Sequence, residues 1–286
     1  MKGMGVLLAI GLFTGCEQTP RRSADPRKGD VGSSPILTAA FRGDAAELRA
    51  LLDGGADPNQ ADMGFTPLLV AVQYHHWEAA QLLLERGADP AAVAPGGNTP
   101  LHHAASGGSG ELTRALLARG VNPDPVNNNG ETPLIRAASM NAPSAVAALL
   151  ERGAEVDRRN PVRRTALMEA AFHGNTAVAE LLIRAGADPN AADRNGGTSL
   201  IFAATGDHAE TVKALIRAGA EVNARDDGGC TALFLAAQKG QLGAIRALLE
   251  SGADSRARND RGIDPLTAAQ AAGETEAAAL LGRVGR

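Results

Sequence analysis

Aromatic side chains are scarce in this chain: they make up 3% of its 286 residues, with one Trp and one Tyr. A single closed core of this length would draw on more large side chains than that. The two cysteines, Cys16 and Cys230, are too few for a disulfide framework. Basic charge is not in excess, since the net charge is −4 and the isoelectric point lies near 5.9. That balance gives no general attraction to phosphate backbones and argues against nucleic acid as a partner. The apolar run from Met4 to Phe13 covers about ten residues, short of the roughly 20 that cross a bilayer as a helix. No His-Glu-x-x-His, Cys-x-x-Cys or phosphate-binding glycine loop appears, and Gly107-Gly-Ser-Gly110 reads as a turn between helices. Neither a catalytic group nor a cofactor is expected from these residues.

What the chain has in quantity is Ala, Leu and Gly, which suits thin layers of slim helices in contact with their neighbours only. Its first residues stand apart. Met1-Lys2, the apolar run and then Leu12-Phe-Thr-Gly-Cys16 read as an export signal, and the ending resembles the bacterial lipoprotein signal. The resemblance implies cleavage after residue 15, lipidation of Cys16 and durable attachment through several acyl chains. With Glu17 after the cysteine it also implies an outer-membrane position facing the periplasm. Residues 16–33 are polar and rich in Pro and charge, without apolar periodicity, and are expected to be a disordered tether. Pulled taut, it would reach roughly 60 Å. If Cys16 carries lipid, Cys230 has no partner and is expected to be a partly covered small residue.

Beyond Ser33 the chain repeats itself. Thr66, Thr99, Thr132, Thr165, Thr198 and Thr231 stand 33 residues apart, with Asp264 next in the series and Ser34 one residue out of phase. Gly87, Gly120, Gly153, Gly186, Gly219 and Gly252 keep the same interval, and Gly55 lies 32 before Gly87. A period of 33 containing Thr99-Pro-Leu-His-His-Ala104 resembles the ankyrin signature. The resemblance covers residues 34–286 and implies an all-α ankyrin-repeat solenoid of about eight helix-turn-helix repeats with β-hairpin-like loops, or fingers. The repeats start near 34, 62, 95, 128, 161, 194, 227 and 260.

Each copy carries its own local reasons for this reading. Thr99 can cap a helix by accepting from an orphan N–H, and Pro100 sits where a missing donor costs nothing. In the fifth copy Thr176 to Ala185 forms a second helix with Val178, Leu181 and Leu182 on one face. Gly186 ends that helix in a left-handed conformation. A lone copy leaves its apolar faces wet against a backbone ordering cost of about 1 to 2 kcal/mol per residue, so stacking has to supply the burial. The first copy is expected to cap one end, and the last, from Asp260, to form a shorter C-terminal cap.

On the ankyrin resemblance His102 bonds to backbone between repeats. His76 and His208 fall at the turns, and His75 replaces the usual turn glycine. Consecutive layers are expected to hold the histidines too far apart for metal binding. The resemblance implies partner binding through finger tips and the exposed ends of first helices. It selects Phe41 and Arg42 in the first copy, Phe65 and Tyr74 in the second and Met140 in the fourth. In the fifth it selects Arg164, Phe172 and His173, and in the seventh Lys239. Trp77 is expected to pack into the core. Arg158-Arg-Asn-Pro-Val-Arg-Arg164 forms a positive tip in which Arg163 stands in the usual glycine place, with Arg159, Arg163 and Arg164 poised to grip an acidic partner. The functional expectation is a monomeric, non-enzymatic, membrane-tethered protein-binding module of the cell envelope. It serves either as an adaptor or as an inhibitor that neutralises an envelope-targeted toxin.

Overall fold

The computed structural model describes residues 34–284; the signal segment, Cys16 and the tether lie outside the described residues. Among the described residues sixteen helices follow one another in eight pairs. The pairs are α1 (Pro35–Arg42) with α2 (Ala45–Asp53), α3 (Pro67–Gln73) with α4 (Trp77–Glu85), α5 (Pro100–Ser106) with α6 (Gly110–Leu117), and α7 (Pro133–Ser139) with α8 (Pro143–Glu151). Next come α9 (Ala166–Phe172) with α10 (Thr176–Arg184), α11 (Ser199–Thr205) with α12 (Ala209–Arg217), α13 (Ala232–Gln238) with α14 (Leu242–Glu250), and α15 (Pro265–Ala272) with α16 (Thr275–Val284). First helices pack on first helices and second on second, layer by layer. The architecture is the all-α solenoid that the repeats imply.

The series of threonines explains where most first helices begin. Thr66, Thr132, Thr165, Thr198 and Thr231 each accept the backbone N–H three residues on, and Asp264 does the same for Thr267 at 2.8 Å. Two caps differ from expectation. The Ser34 hydroxyl reaches out to Gln60 instead of capping α1, and Thr99 shares its cap with His102. Second helices end on glycines at positive φ, such as Gly186 at +92°. At the turn within each pair, His75, Asn141 and Asp207 adopt the left-handed conformation that glycine takes in other copies.

The core is one continuous strip. Alanine pairs such as Ala104–Ala105, Ala137–Ala138 and Ala170–Ala171 are fully buried where first helices touch, and Leu83, Leu149, Val178, Leu182 and Leu215 fill the second-helix side. Leu181 is half-buried and Trp77 packs against the core. The last copy is short only in chain length: α15 and α16 are 8 and 10 residues long, as full as the helices before them.

Seven fingers join the pairs, at 57–65, 90–98, 123–131, 156–164, 189–197, 222–230 and 255–263. Among the described residues they form isolated antiparallel bridges, Asp62 with Phe65, Ala192 with Thr198 and Arg225 with Thr231. Arg163, standing where glycine is usual, keeps the shape of finger 156–164. At φ +62° it adopts the conformation of Gly97, Gly130 and Gly196. The tip closes normally, with Arg163 N–H donating to Asn160 O at 2.8 Å and Asn160 N–H to Arg164 O at 3.0 Å.

Candidate functional site

The face made by the fingers and the exposed ends of first helices carries the residues singled out in the sequence. Phe41 is half-buried, 4.7 Å edge-to-face from the exposed Tyr74, and its carbonyl lies 2.9 Å from His76 Nε2 in the next layer. Arg42 ends α1 in solvent. Phe65 is half-buried against Leu69, Ala92 and Ala94, so it belongs more to packing than to the exposed face. Met140 and Lys239 are exposed at the ends of α7 and α13, Met140 in the layer next to Phe172 and His173. Cys16 lies outside the described residues.

Copy five brings its residues together. Phe172 is 5.0 Å from the ring of His173 and 6.2 Å from that of Phe202. The Arg164 guanidinium sits over Phe202 at 4.6 Å and Phe172 at 5.7 Å, reaching Glu169 at 3.4 Å and Asp193 at 3.8 Å. Asp193 keeps only 7% of its side chain exposed, so removal of Arg164 would leave a buried carboxylate without its cation. Arg164 is therefore built into the fold, which corrects its placement with the tip arginines. Arg159 and Arg163 do project: Arg159 donates to Ala192 O at 3.0 Å, and Arg163 makes no side-chain hydrogen bond or ion pair. Arg194, not singled out earlier, donates to Pro161 O at 2.6 Å and joins them.

Glu169, Asp193 and Phe202 escaped the sequence reading. A signal was there: Glu131–Arg136 and Arg164–Glu169 are the same two positions 33 residues on, with the charges exchanged. The first pair closes at 3.2 Å. Four aliphatic side chains on the fingers were also missed, Met63, Val93, Val126 and Val162, which are between 45% and 86% exposed.

The histidines are fixed in detail. The Thr99 N–H donates to His102 Nδ1 at 3.1 Å. A backbone N–H can only donate, so Nδ1 carries the lone pair and Nε2 donates to Glu131 O at 3.1 Å. Burial lowers His102 to a pKa of about 4, and with both nitrogens committed it has none left for a metal. Burial, helped by the Arg136 charge, lowers His103 to about 4 as well. The charge of His75 adds a smaller lowering in the same direction. Among the described residues no group of three or more His, Cys, Asp or Glu could hold a metal ion. Burial and the nearby Asp226 raise the Cys230 thiol, opposite to the shift that activates a nucleophile.

A family model described as ankyrin repeats, in three copies, matches residues 11–94, 91–160 and 167–259. The chain is an ankyrin-repeat protein. Among curated proteins none matches it. Membership makes the array a protein-interaction module, and the stitches between layers show how an ankyrin array holds such a face rigid. His76, Asn175, His208 and Gln241 each bond a carbonyl at the first-helix end of the layer before, at 2.8 to 3.1 Å. No described helix of this ankyrin protein is long and apolar enough to cross a membrane.

Proposed function

We propose that this ankyrin array is a non-enzymatic adaptor held at the bacterial cell envelope through a lipid on Cys16, where it binds and localises another protein. The supporting observation is where its exposed large side chains stand. Tyr74 (43% exposed), Met140 (57%) and Phe172 (41%) all sit at the same end of their layers, and aromatic side chains and Met are enriched at protein interfaces. Rigid layers present them without further ordering cost. The tether is carried by the sequence ending in Gly15-Cys16.

Photo-crosslinking in cells tests the reading. A photoreactive residue at Tyr74 or Phe172 should capture one envelope protein that the same residue at Glu78, on the second-helix side, does not. Equal capture from all three positions would defeat the proposed face. Palmitate labelling that persists in Cys16→Ala would defeat the tether while leaving the binding face standing.

A further inference from the structure

The seven fingers divide into two chemically different stretches. Fingers 57–65, 90–98 and 123–131 contain no Lys or Arg, while the remaining four contain nine. One position shows the change directly. Spaced at 33 residues, it reads Val93, Val126, Arg159, Ala192, Arg225, Arg258. Val93 and Val126 are 60% and 52% exposed, so the early fingers offer aliphatic surface where the later ones offer guanidinium.

At fingers 156–164 and 189–197 three arginines have no ion-pair partner among the described residues, with Asp157 the one carboxylate of these fingers outside the ion pairs. Arg158 is paired with Glu155 and Arg164 with Glu169 and Asp193. Arg159 and Arg194 are pinned by the carbonyls of Ala192 and Pro161, which fix their direction and leave the charge standing. Arg163 holds a left-handed backbone where the other copies have glycine, an unfavourable conformation that keeps an arginine at the tip.

We infer that the partner is a protein segment that lays aliphatic side chains along fingers 57–65 to 123–131 and carboxylates against Arg159, Arg163 and Arg194. This rests on the protein-binding reading above and names the chemistry of what is bound. A second copy of the chain fits poorly, because Asp124 is buried and Glu131 is already paired with Arg136, so its early fingers offer few carboxylates. An anionic bilayer fits poorly too, because Asp226, Asp227 and Asp260 are interleaved with the later arginines. Layers stack about 8 to 10 Å apart, so the stretch from finger 57–65 to finger 189–197 is roughly 36 Å. That is the span of about eleven extended residues.

The probe is a fluorescent twelve-residue peptide with leucines in one half and glutamates in the other, titrated against the full chain by anisotropy. Binding should weaken at least tenfold when Arg159, Arg163 and Arg194 are changed to Glu. It should weaken severalfold in Val93→Ser with Val126→Ser, and be lost when the peptide glutamates become lysines. Arg159→Gln with Arg163→Gly and Arg194→Gln removes the charge at no conformational expense, and should reproduce most of the tenfold loss. Indifference of the peptide to the arginine variants overturns the inference. So does stronger retention on phosphatidylcholine vesicles containing one quarter phosphatidylglycerol, or concentration-dependent self-association that these variants abolish. If a crosslinked envelope protein binds the Glu variant as tightly as the unaltered chain, the adaptor reading survives and this assignment of chemistry falls.

Discussion

Fingers 90–98 and 222–230 close the same tip with different amounts of support. In the first, Ala94 N–H donates to Asn98 O at 2.9 Å and Gly97 N–H to Ala94 O at 2.8 Å, and no side chain accepts from the backbone of the tip. In the second, the matching bonds are joined by the Asp226 carboxylate, which accepts from Gly228 N–H at 2.9 Å and Cys230 N–H at 2.8 Å. The Asp227 N–H also reaches back to Asn195 O at 3.0 Å. Pro95 stands in that place in the earlier finger and has no hydrogen to give. Its ring lies instead against Gly64, where an added Cβ would meet it at 3.0 Å. Backbone geometry sets the shape of a finger, then, and side-chain acceptors set how tightly it is held. Finger 90–98 is the lightly held one; finger 123–131, equally aliphatic, is pinned by Asn127 as finger 222–230 is by Asp226.

Acid should separate the two regions most. His102 is the histidine of the repeat motif in the early half, where the corresponding positions elsewhere are Leu69, Ile135, Met168, Ile201 and Phe234. Its folded-state pKa is lowered to about 4 against about 6.5 unfolded, so the unfolded chain binds the proton more readily. Stability present above pH 6.5 is lost as the pH falls toward 4, by up to about 3 kcal/mol. Hydrogen exchange at pH 7 and pH 4.5 should show the loss centred on α5 and its neighbours. An equal loss at α13 would break the comparison, and His102→Leu should remove about half of the pH dependence, His103 carrying the rest.

Exchanging the supports tests the contrast at the next size. Asp226→Ala strands two N–H groups and should destabilise by about 2 kcal/mol, read as a lower urea midpoint. Ala94→Asn supplies what the early finger lacks, since Asn127, Asn160 and Asn259 accept two N–H groups in that register. It should raise stability by about 1 kcal/mol, and no gain would mean that finger 90–98 is limited by something other than its acceptors.

Asp124 offers a related gain. Its Oδ2 accepts from Glu155 N–H at 3.1 Å, yet its buried Oδ1 has no hydrogen-bond partner, and burial raises its pKa. In the same register Asn190 accepts from Glu221 N–H and donates to Gly219 O. Asp124→Asn should donate to Gly153 O in the same way and stabilise by about 1 kcal/mol at pH 7. The carboxyl is disfavoured only when ionised, so the gain should shrink as the pH falls through the ordinary carboxylate range. Arg163→Gly should have the smallest effect, a rise of about 0.5 to 1 kcal/mol from relief of the left-handed backbone, measured by the same denaturant titration.

Much of the fold was legible because it is local and repeated. Each Thr cap, the glycine after each second helix and the alanine pair of each first helix lie within one copy, so one copy teaches the rest. The His102 bond between repeats was implied by the ankyrin resemblance and not by repetition, since the corresponding positions at 33-residue spacing carry apolar residues. The structural role of Arg164 was legible in neither. Its partners Asp193 and Phe202 lie 29 and 38 residues away, and only the packing of successive layers makes them neighbours. Thr99 likewise departs from the other caps because a histidine, where they carry an apolar residue, can reach it.

The sequence by itself determined the unit, its count and its stacking order, because helix caps, glycine turns and apolar spacing act over a few residues and recur in phase. Only the tertiary structure decided which arginines face solvent and which are spent inside. That depends on side chains of adjacent copies meeting across an interface, and a guanidinium is exposed or neutralised by what the next layer brings against it.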